Sequence, residues 1–145
     1  MVGAEDVDHF RYIAIDFDAT IANYDGWKGK GAFGQPIVGA KEALEELKRT
    51  PGIKIIIYTT RLEVDQIREY LRMHKIPYDY INYSPLTHEL DLHPSKVMAH
   101  CYVDDRGYQF EGRWTPRVIE EIKNFKSYYE KQREAESTIV GRRKL

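Results

Sequence analysis

The sequence predicts an α/β fold with a central, mainly parallel sheet. Three observations carry that expectation. Short apolar runs of strand length (RYIAID, IKIIIY, HCYVD) alternate with stretches whose apolar residues recur at helical spacing. The runs are rich in isoleucine, as strands buried on both faces are. Two of them end in acids, and in parallel sheets ligands bind beyond the carboxyl ends of the strands. The chain has 145 residues, the usual size of one domain, so a single domain over 1–145 is expected, with its core over 8–135. Hydrophobic residues make up 42% and aromatics 12%, enough for a core and too much for a disordered chain.

The first run, Arg11 to Asp16, reads as a buried strand ending in an acid. Ile21 to Gly39 holds five of the ten glycines, together with Tyr24, Trp27 and Phe33, and reads as a mobile loop or loose hairpin. Ala40, Ala43, Leu44 and Leu47 form the stripe of an amphipathic helix, which Thr50-Pro51-Gly52 stops. Ile53 to Tyr58 is the best central-strand candidate. Thr60-Arg61-Leu62-Glu63 has the pattern of a capping box, with Thr60 as N-cap of a helix that turns Val64, Ile67, Tyr70 and Leu71 inward and ends near His74. Tyr78 to Tyr83 predicts a third strand, and Ser84 to Pro94 a polar loop. A turn or short helix at 95–99 leads into a fourth strand, His100 to Asp104. Thr115-Pro116 then opens a long helix carrying Val118, Ile122, Phe125 and Tyr129 on one face. Residues 137–145 are expected to form a flexible, mildly basic tail.

Composition narrows the function classes. Lys and Arg number 22 against 23 Asp and Glu, a net charge of −1, which argues against a general polyanion binder. The single cysteine, Cys101, excludes an internal disulfide framework and any multi-cysteine zinc site. The spacing of His88, His93, His100 and Cys101 fits no standard zinc pattern. No apolar stretch approaches the roughly 18 residues of a membrane span. The acidic start lacks the basic-then-apolar plan of a secretory signal, so a cytoplasmic protein is expected, with no membrane partner.

The chemistry-bearing residues cluster at strand ends. Asp16, Asp18 and Thr20 form D-x-D-x-T after the first strand. In extended chain, side chains at i and i+2 share a face, so the two carboxylates would point the same way. Two close carboxylates need a shared proton or a cation between them. Asp104-Asp105 closes the fourth strand, and an oxygen-rich acidic pocket suits Mg²⁺, which usually takes one or two carboxylates together with phosphate and water. Thr59 ends the second strand beside a helix N-terminus, where free N–H groups attract anions. Lys96 precedes the fourth strand and offers a fixed positive charge. Such a set suits phosphoryl transfer.

In the order of these motifs the sequence resembles the haloacid dehalogenase superfamily of aspartate-nucleophile phosphatases, over about Tyr12 to Gly107. DFDAT at 16–20, IIIYTTR with Thr59, Lys96, and VDDR with Asp104 and Asp105 resemble the four motifs in turn. The resemblance implies a three-layer, Rossmann-like α/β/α domain whose first strand lies between the second and fourth. It implies an Asp16 nucleophile that forms an aspartyl-phosphate, and Asp18 as general acid and then base. Thr59 would bond a phosphoryl oxygen, and Lys96 would neutralise Asp16 and the phosphate. Mg²⁺ would be held by the Asp16 carboxylate, the Asp18 backbone carbonyl and Asp104, with Asp105 direct or through water. The family usually has glycine where this chain has Ala19, which fits only if that residue keeps a negative φ.

The intervals between motifs leave no room for an inserted cap, so a capless hydrolase is expected. Its substrate would be a phosphorylated small molecule or a macromolecular end, with cover from the glycine-rich segment or from a second copy of the chain. Thr20, Thr60, Arg61, Arg106 and Trp27 are further candidates for substrate contact. A phospho-accepting receiver domain has similar residues, but places its acidic pair first and its lysine late. A catalytically silent binding protein on the same fold is the other alternative.

Overall fold

The computed structural model describes residues 9–93, 95–109, 111 and 113–143. The chain divides into two compact units, Met1–Asp104 and Asp105–Leu145, where its length reads as one domain.

Alternation along two isoleucine-rich strands organises the first unit. β1 (Arg11–Asp16) and β2 (Ile53–Tyr58) run parallel in full register, from Arg11 opposite Ile53 to Asp16 opposite Tyr58. Side chains alternate across a strand. Ile15, Ile55 and Ile57 therefore enter one core, while Tyr12, Ala14 and Ile56 enter another on the opposite face. Each fully buried isoleucine contributes about 2 kcal/mol of transfer free energy. β3 (Tyr80–Ile81) and β4 (Cys101–Val103) complete an all-parallel sheet in the order β3-β2-β1-β4. The first strand thus lies between the second and the fourth, as expected.

Helices cover both faces. α1 (Ala40–Arg49) brings Leu44, and α2 (Val64–Met73) brings Ile67, Tyr70 and Leu71, to the larger core. α3 (Pro85–Glu89) brings Leu86 to the smaller one. The result is a three-layer α/β/α arrangement. Among the described residues no separate cap domain is inserted between β1 and β2 or between β2 and β4.

Several local expectations are corrected. α3 forms where a loop was expected, because Ser84 is extended at the N-cap and Pro85 takes the first turn, where its missing N–H has no partner to lose. The capping box at Thr60 does not form. α2 starts only at Val64, and the Glu63 carboxylate turns instead to Arg61. The glycine-rich segment is packed rather than loose: Ile21 and Ala22 are fully buried, Ala22 pairs with Pro36, and the Asn23 N–H donates to the Gln35 carbonyl at 2.8 Å. Its hairpin character is as expected.

In the second unit the long C-terminal helix is two helices, α4 (Pro116–Asn124) and α5 (Tyr128–Arg143). Ser127 explains the break: its hydroxyl accepts the Glu130 N–H at 3.2 Å and lies 3.3 Å from the Glu130 carboxylate, a Ser-x-x-Glu start signal. Helix α5 continues through Ser137 to Arg143, where a flexible tail was expected; residues 144–145 lie outside the described residues. Phe125, expected on one face of that helix, falls in the break and is exposed. No helix among the described residues is long and apolar enough to cross a membrane.

Candidate active site

Three neighbouring strands deliver their carboxyl ends to one place. Asp16 is the last residue of β1 and stands opposite Tyr58 in β2, so Thr59 follows one residue beyond it. Ile15 stands opposite Val103 in β4, so Asp104 lies beside Asp16. Motif residues separated by more than forty positions in sequence thus become strand neighbours. Asp16 Oδ1 accepts the Phe17 N–H at 2.9 Å, which folds the carboxylate over its own turn. Asp104 Oδ2 accepts the Tyr58 hydroxyl at 2.7 Å, a bond that spans the intervening β1. Tyr58 thereby fixes Asp104, a role that strand patterning does not reveal.

Asp18 is placed differently. β1 ends at Asp16, and the backbone then turns tightly, with the Phe17 carbonyl accepting the Ile21 and Ala22 N–H groups at 2.9 and 3.0 Å. The extended-chain argument that would align Asp18 with Asp16 therefore stops at the strand end. Within this turn Ala19 has φ 65°, a left-handed conformation that costs a non-glycine residue about 1–2 kcal/mol. The negative φ that alanine needs is not adopted.

The Asp18 carboxylate is gripped by Arg61. Arg61 Nε donates to Asp18 Oδ2 at 2.7 Å and Nη2 to Oδ1 at 3.0 Å, the bidentate fork that only arginine supplies. Nη1 donates to Glu63 at 2.8 Å, and Nη2 also reaches the Ala32 carbonyl at 3.3 Å. The Arg61 side chain is 4% exposed. Its guanidinium lies over the rings of both Phe33 and Trp27, 4.8 and 4.9 Å from their centroids. Phe33 in turn packs edge-on against Phe17 and Tyr70.

The electrostatics follow from this geometry. The hydrogen bonds that Arg61 donates to Asp18 hold its pKa above the ordinary value against the opposing effect of burial. The Arg61 bond holds the Glu63 carboxyl below its own. Burial, with the Asp18 charge adding to it, pushes the Tyr70 hydroxyl up to about 12. Arg61 was a candidate for substrate contact; the structure commits its donors to Asp18, Glu63 and Ala32 instead.

An open cleft of about 600 Å³ is lined by Thr59, Thr60, Asn82, Lys96, Tyr102 and Asp104 among others. Thr59 Oγ1 accepts the Arg61 N–H at 3.0 Å, so its own hydrogen is left to donate elsewhere. Asn82 holds the Thr59 backbone from both sides: its Oδ1 accepts the Thr59 N–H at 2.9 Å and its Nδ2 donates to the Thr59 carbonyl at 3.1 Å. Lys96 is exposed, with its ammonium 5.7 Å from the Tyr102 ring centroid. The Thr20 hydroxyl is buried with no hydrogen-bond partner among the described residues.

Asp105 and Arg106 open the second unit. They lie 3.8 Å apart, with Arg106 well exposed and Asp105 Oδ2 buried without a hydrogen-bond partner among the described residues. Among the described residues no group of three or more His, Cys, Asp or Glu side chains is arranged to hold a metal ion.

No family model matches the chain, and no curated protein does. A solved structure of a conserved protein from Bacteroides thetaiotaomicron is similar, with a TM-score of 0.56 and 25% identity over 83% of this chain and 96% of that one. The likeness supports the α/β fold, and the description of that protein names no activity.

Asn82 and Tyr58 are the site residues that sequence reasoning misses. Asn82 carries a faint signal, an amide at the end of a strand just before Ser-Pro, where residues with left-handed backbone are common. Tyr58 carries none, since a tyrosine in a strand reads first as packing.

Proposed function

We propose that the chain is a Mg²⁺-dependent phosphatase of phosphate monoesters, of the haloacid dehalogenase type. The observation that carries this reading is the convergence of Asp16, Thr59 and Asp104 at the carboxyl ends of three adjacent parallel strands, next to a cleft holding Lys96. The order of strands is the one the motifs require.

The donor set fits a magnesium ion, because that ion needs one or two carboxylates and completes its shell with phosphate and water. Asp16 and Asp104 supply two oxygen-bearing side chains in register, and the backbone carbonyl of Asp18 would be a third donor. When bound, the ion supplies charge neutralisation on the phosphoryl oxygens.

The protein residues divide the remaining work. An Asp16 carboxylate oxygen attacks phosphorus, the bond to the alcohol oxygen breaks, and an aspartyl-phosphate forms. Asp18 passes a proton to the departing oxygen and later takes one from the water that hydrolyses the intermediate. The Arg61 fork fixes the orientation of the Asp18 carboxylate. The Thr59 hydroxyl donates to a phosphoryl oxygen, with its backbone held by Asn82. The Lys96 ammonium offsets negative charge at the cleft.

The test is hydrolysis of an aryl phosphate with and without Mg²⁺. Wild-type protein should turn over only with the metal, and Asp16→Asn should be inactive. Asp18→Asn should lose about 10²–10⁴-fold, the usual worth of acid–base catalysis. A wild-type protein inert on a broad panel of phosphate esters overturns the reading, and an active Asp16→Asn overturns the nucleophile.

A further inference from the structure

Trp27 has no role in the chemistry above, and its setting is unusual. It is 58% exposed, although a large aromatic side chain is costly to leave in water. It is nonetheless held in place. One face of its ring lies against the buried Arg61 guanidinium at 4.9 Å, behind which come Phe33 at 4.8 Å and then Phe17 and Tyr70. These groups form a packed column, edge-on among Phe17, Tyr70 and Phe33, that leads from the core to the exposed Trp27.

The loop that presents Trp27 is shaped for it. Gly26 and Gly29 bracket it with φ of 120° and 108°, values that other residues avoid. Gly31 packs so closely on α2 that an added Cβ would lie 2.6 Å from Gln66 Oε1. The Tyr70 hydroxyl donates to the Gly34 carbonyl at 2.7 Å. With the Asn23 N–H on the Gln35 carbonyl at 2.8 Å before Trp27 and these contacts after it, the loop is pinned on both sides, and a preorganised surface binds with little ordering cost.

We infer that the outer face of Trp27 is a stacking platform for a planar heteroaromatic ring carried by the substrate's alcohol. The substrate class is then a nucleoside monophosphate, free or at the end of a nucleic-acid strand. This rests on the phosphatase reading for the position of the phosphate and deepens it. One guanidinium touches both groups: Arg61 lies 4.9 Å from the Trp27 ring centroid and meets the Asp18 carboxylate at 2.7 Å, so the platform adjoins the residue that serves the leaving oxygen. In a nucleotide the base belongs to the alcohol that leaves, so a ring at Trp27 and a leaving oxygen at Asp18 fall on the same part of one molecule. A ring on Trp27 continues the column, and every base offers a π-face to it. Lys30, exposed beyond Gly29, offers positive charge to further phosphates of a strand, whereas Lys28 is paired with Asp25 at 2.9 Å.

The experiment separates this inference from the hydrolysis it builds on. Trp114→Phe leaves Trp27 as the one tryptophan of the chain's two, and Asp16→Asn blocks turnover. In that background, adenosine 5′-monophosphate should quench Trp27 fluorescence saturably and bind about tenfold more tightly than ribose 5-phosphate by calorimetry. Trp27→Leu should abolish that preference, and Trp27→Phe should keep most of it, with circular dichroism confirming that each variant is folded. A 5′-phosphorylated trinucleotide that binds tighter still assigns a strand end, and one that binds equally assigns the free nucleotide; both outcomes support the platform. Equal affinity for the two monophosphates, no nucleotide binding, or an unchanged preference in Trp27→Leu overturns it. Hydrolysis without base preference overturns the platform while the phosphatase reading stands. Base preference without hydrolysis supports the platform while the phosphatase reading falls.

Discussion

β1 pairs with β2 along all six of its residues, but with β4 along only three. The difference continues into the side chains. Ile55, Ile56 and Ile57 of β2 are fully buried, whereas Cys101, Tyr102 and Val103 of β4 are all exposed. The candidate site straddles this contrast. On the β2 side, Asp18, Arg61 and Thr59 are gripped by hydrogen bonds and aromatic rings. On the β4 side, Lys96 and Asp104 line an open cleft. Groups that must hold one orientation sit on the buried flank, and the cleft runs from there, at Thr59 and Asn82, to the exposed β4 side.

The comparison can be broken first at Arg61. Arg61→Met leaves Asp18 and Glu63 without their cation, and should destabilise the protein by about 4 kcal/mol in urea denaturation. Arg61→Lys should recover only part of this, because an ammonium cannot replace the fork. A loss below about 1 kcal/mol for the methionine variant would show that the flank is not held this way. Cavity formation tests the strands themselves: Ile57→Ala should cost about 3 kcal/mol, and Val103→Ala less than about 1 kcal/mol. Equal losses would erase the distinction between the two flanks.

Smaller effects sharpen it. Ala19→Gly relieves the left-handed alanine beside Asp18, and should raise stability by about 1 kcal/mol, read as an upward shift in Tm. The buried flank also has a pH signature. The Tyr70 hydroxyl is raised in the folded state to about 12 from an ordinary 10.0. Its contribution is therefore complete below pH 10.0 and is lost as the pH rises through about 12. Tyr70→Phe should flatten that alkaline loss in denaturation curves across the window, while costing about 1 kcal/mol at neutral pH for the missing bond to Gly34.

The framework was legible in the sequence because its signals are local. β1 and β2 show as isoleucine-rich runs, and α1 and α2 as apolar stripes, each within a dozen residues. The placement of Asp16, Thr59 and Asp104 could be anticipated because the order of strands brings their ends together. What escaped was non-local or ambiguous. The Arg61–Asp18 fork joins residues 43 positions apart, and once Glu63 joins that cluster it is lost to the capping box its spacing suggested. The glycine-rich segment reads as loose by composition, yet Phe33 anchors it through contacts with Phe17 and Tyr70 that no local pattern encodes. The same Ser/Thr-x-x-Glu signal occurs at Ser127 and at Thr60, but only the first finds its helix.

Asn82 has a consequence beyond holding Thr59. β3 is two residues long, and its last backbone rung is the Asn82 N–H on the Ile57 carbonyl at 2.8 Å. The side-chain amide of Asn82 then supplies the next rung itself, bonding both the N–H and the carbonyl of Thr59. One residue thus does the work of a longer strand. The main chain, with φ 50° at Asn82, is released to turn away toward α3. The residue that ends the strand in amide rather than backbone is thereby also a wall of the cleft, beside the threonine it holds.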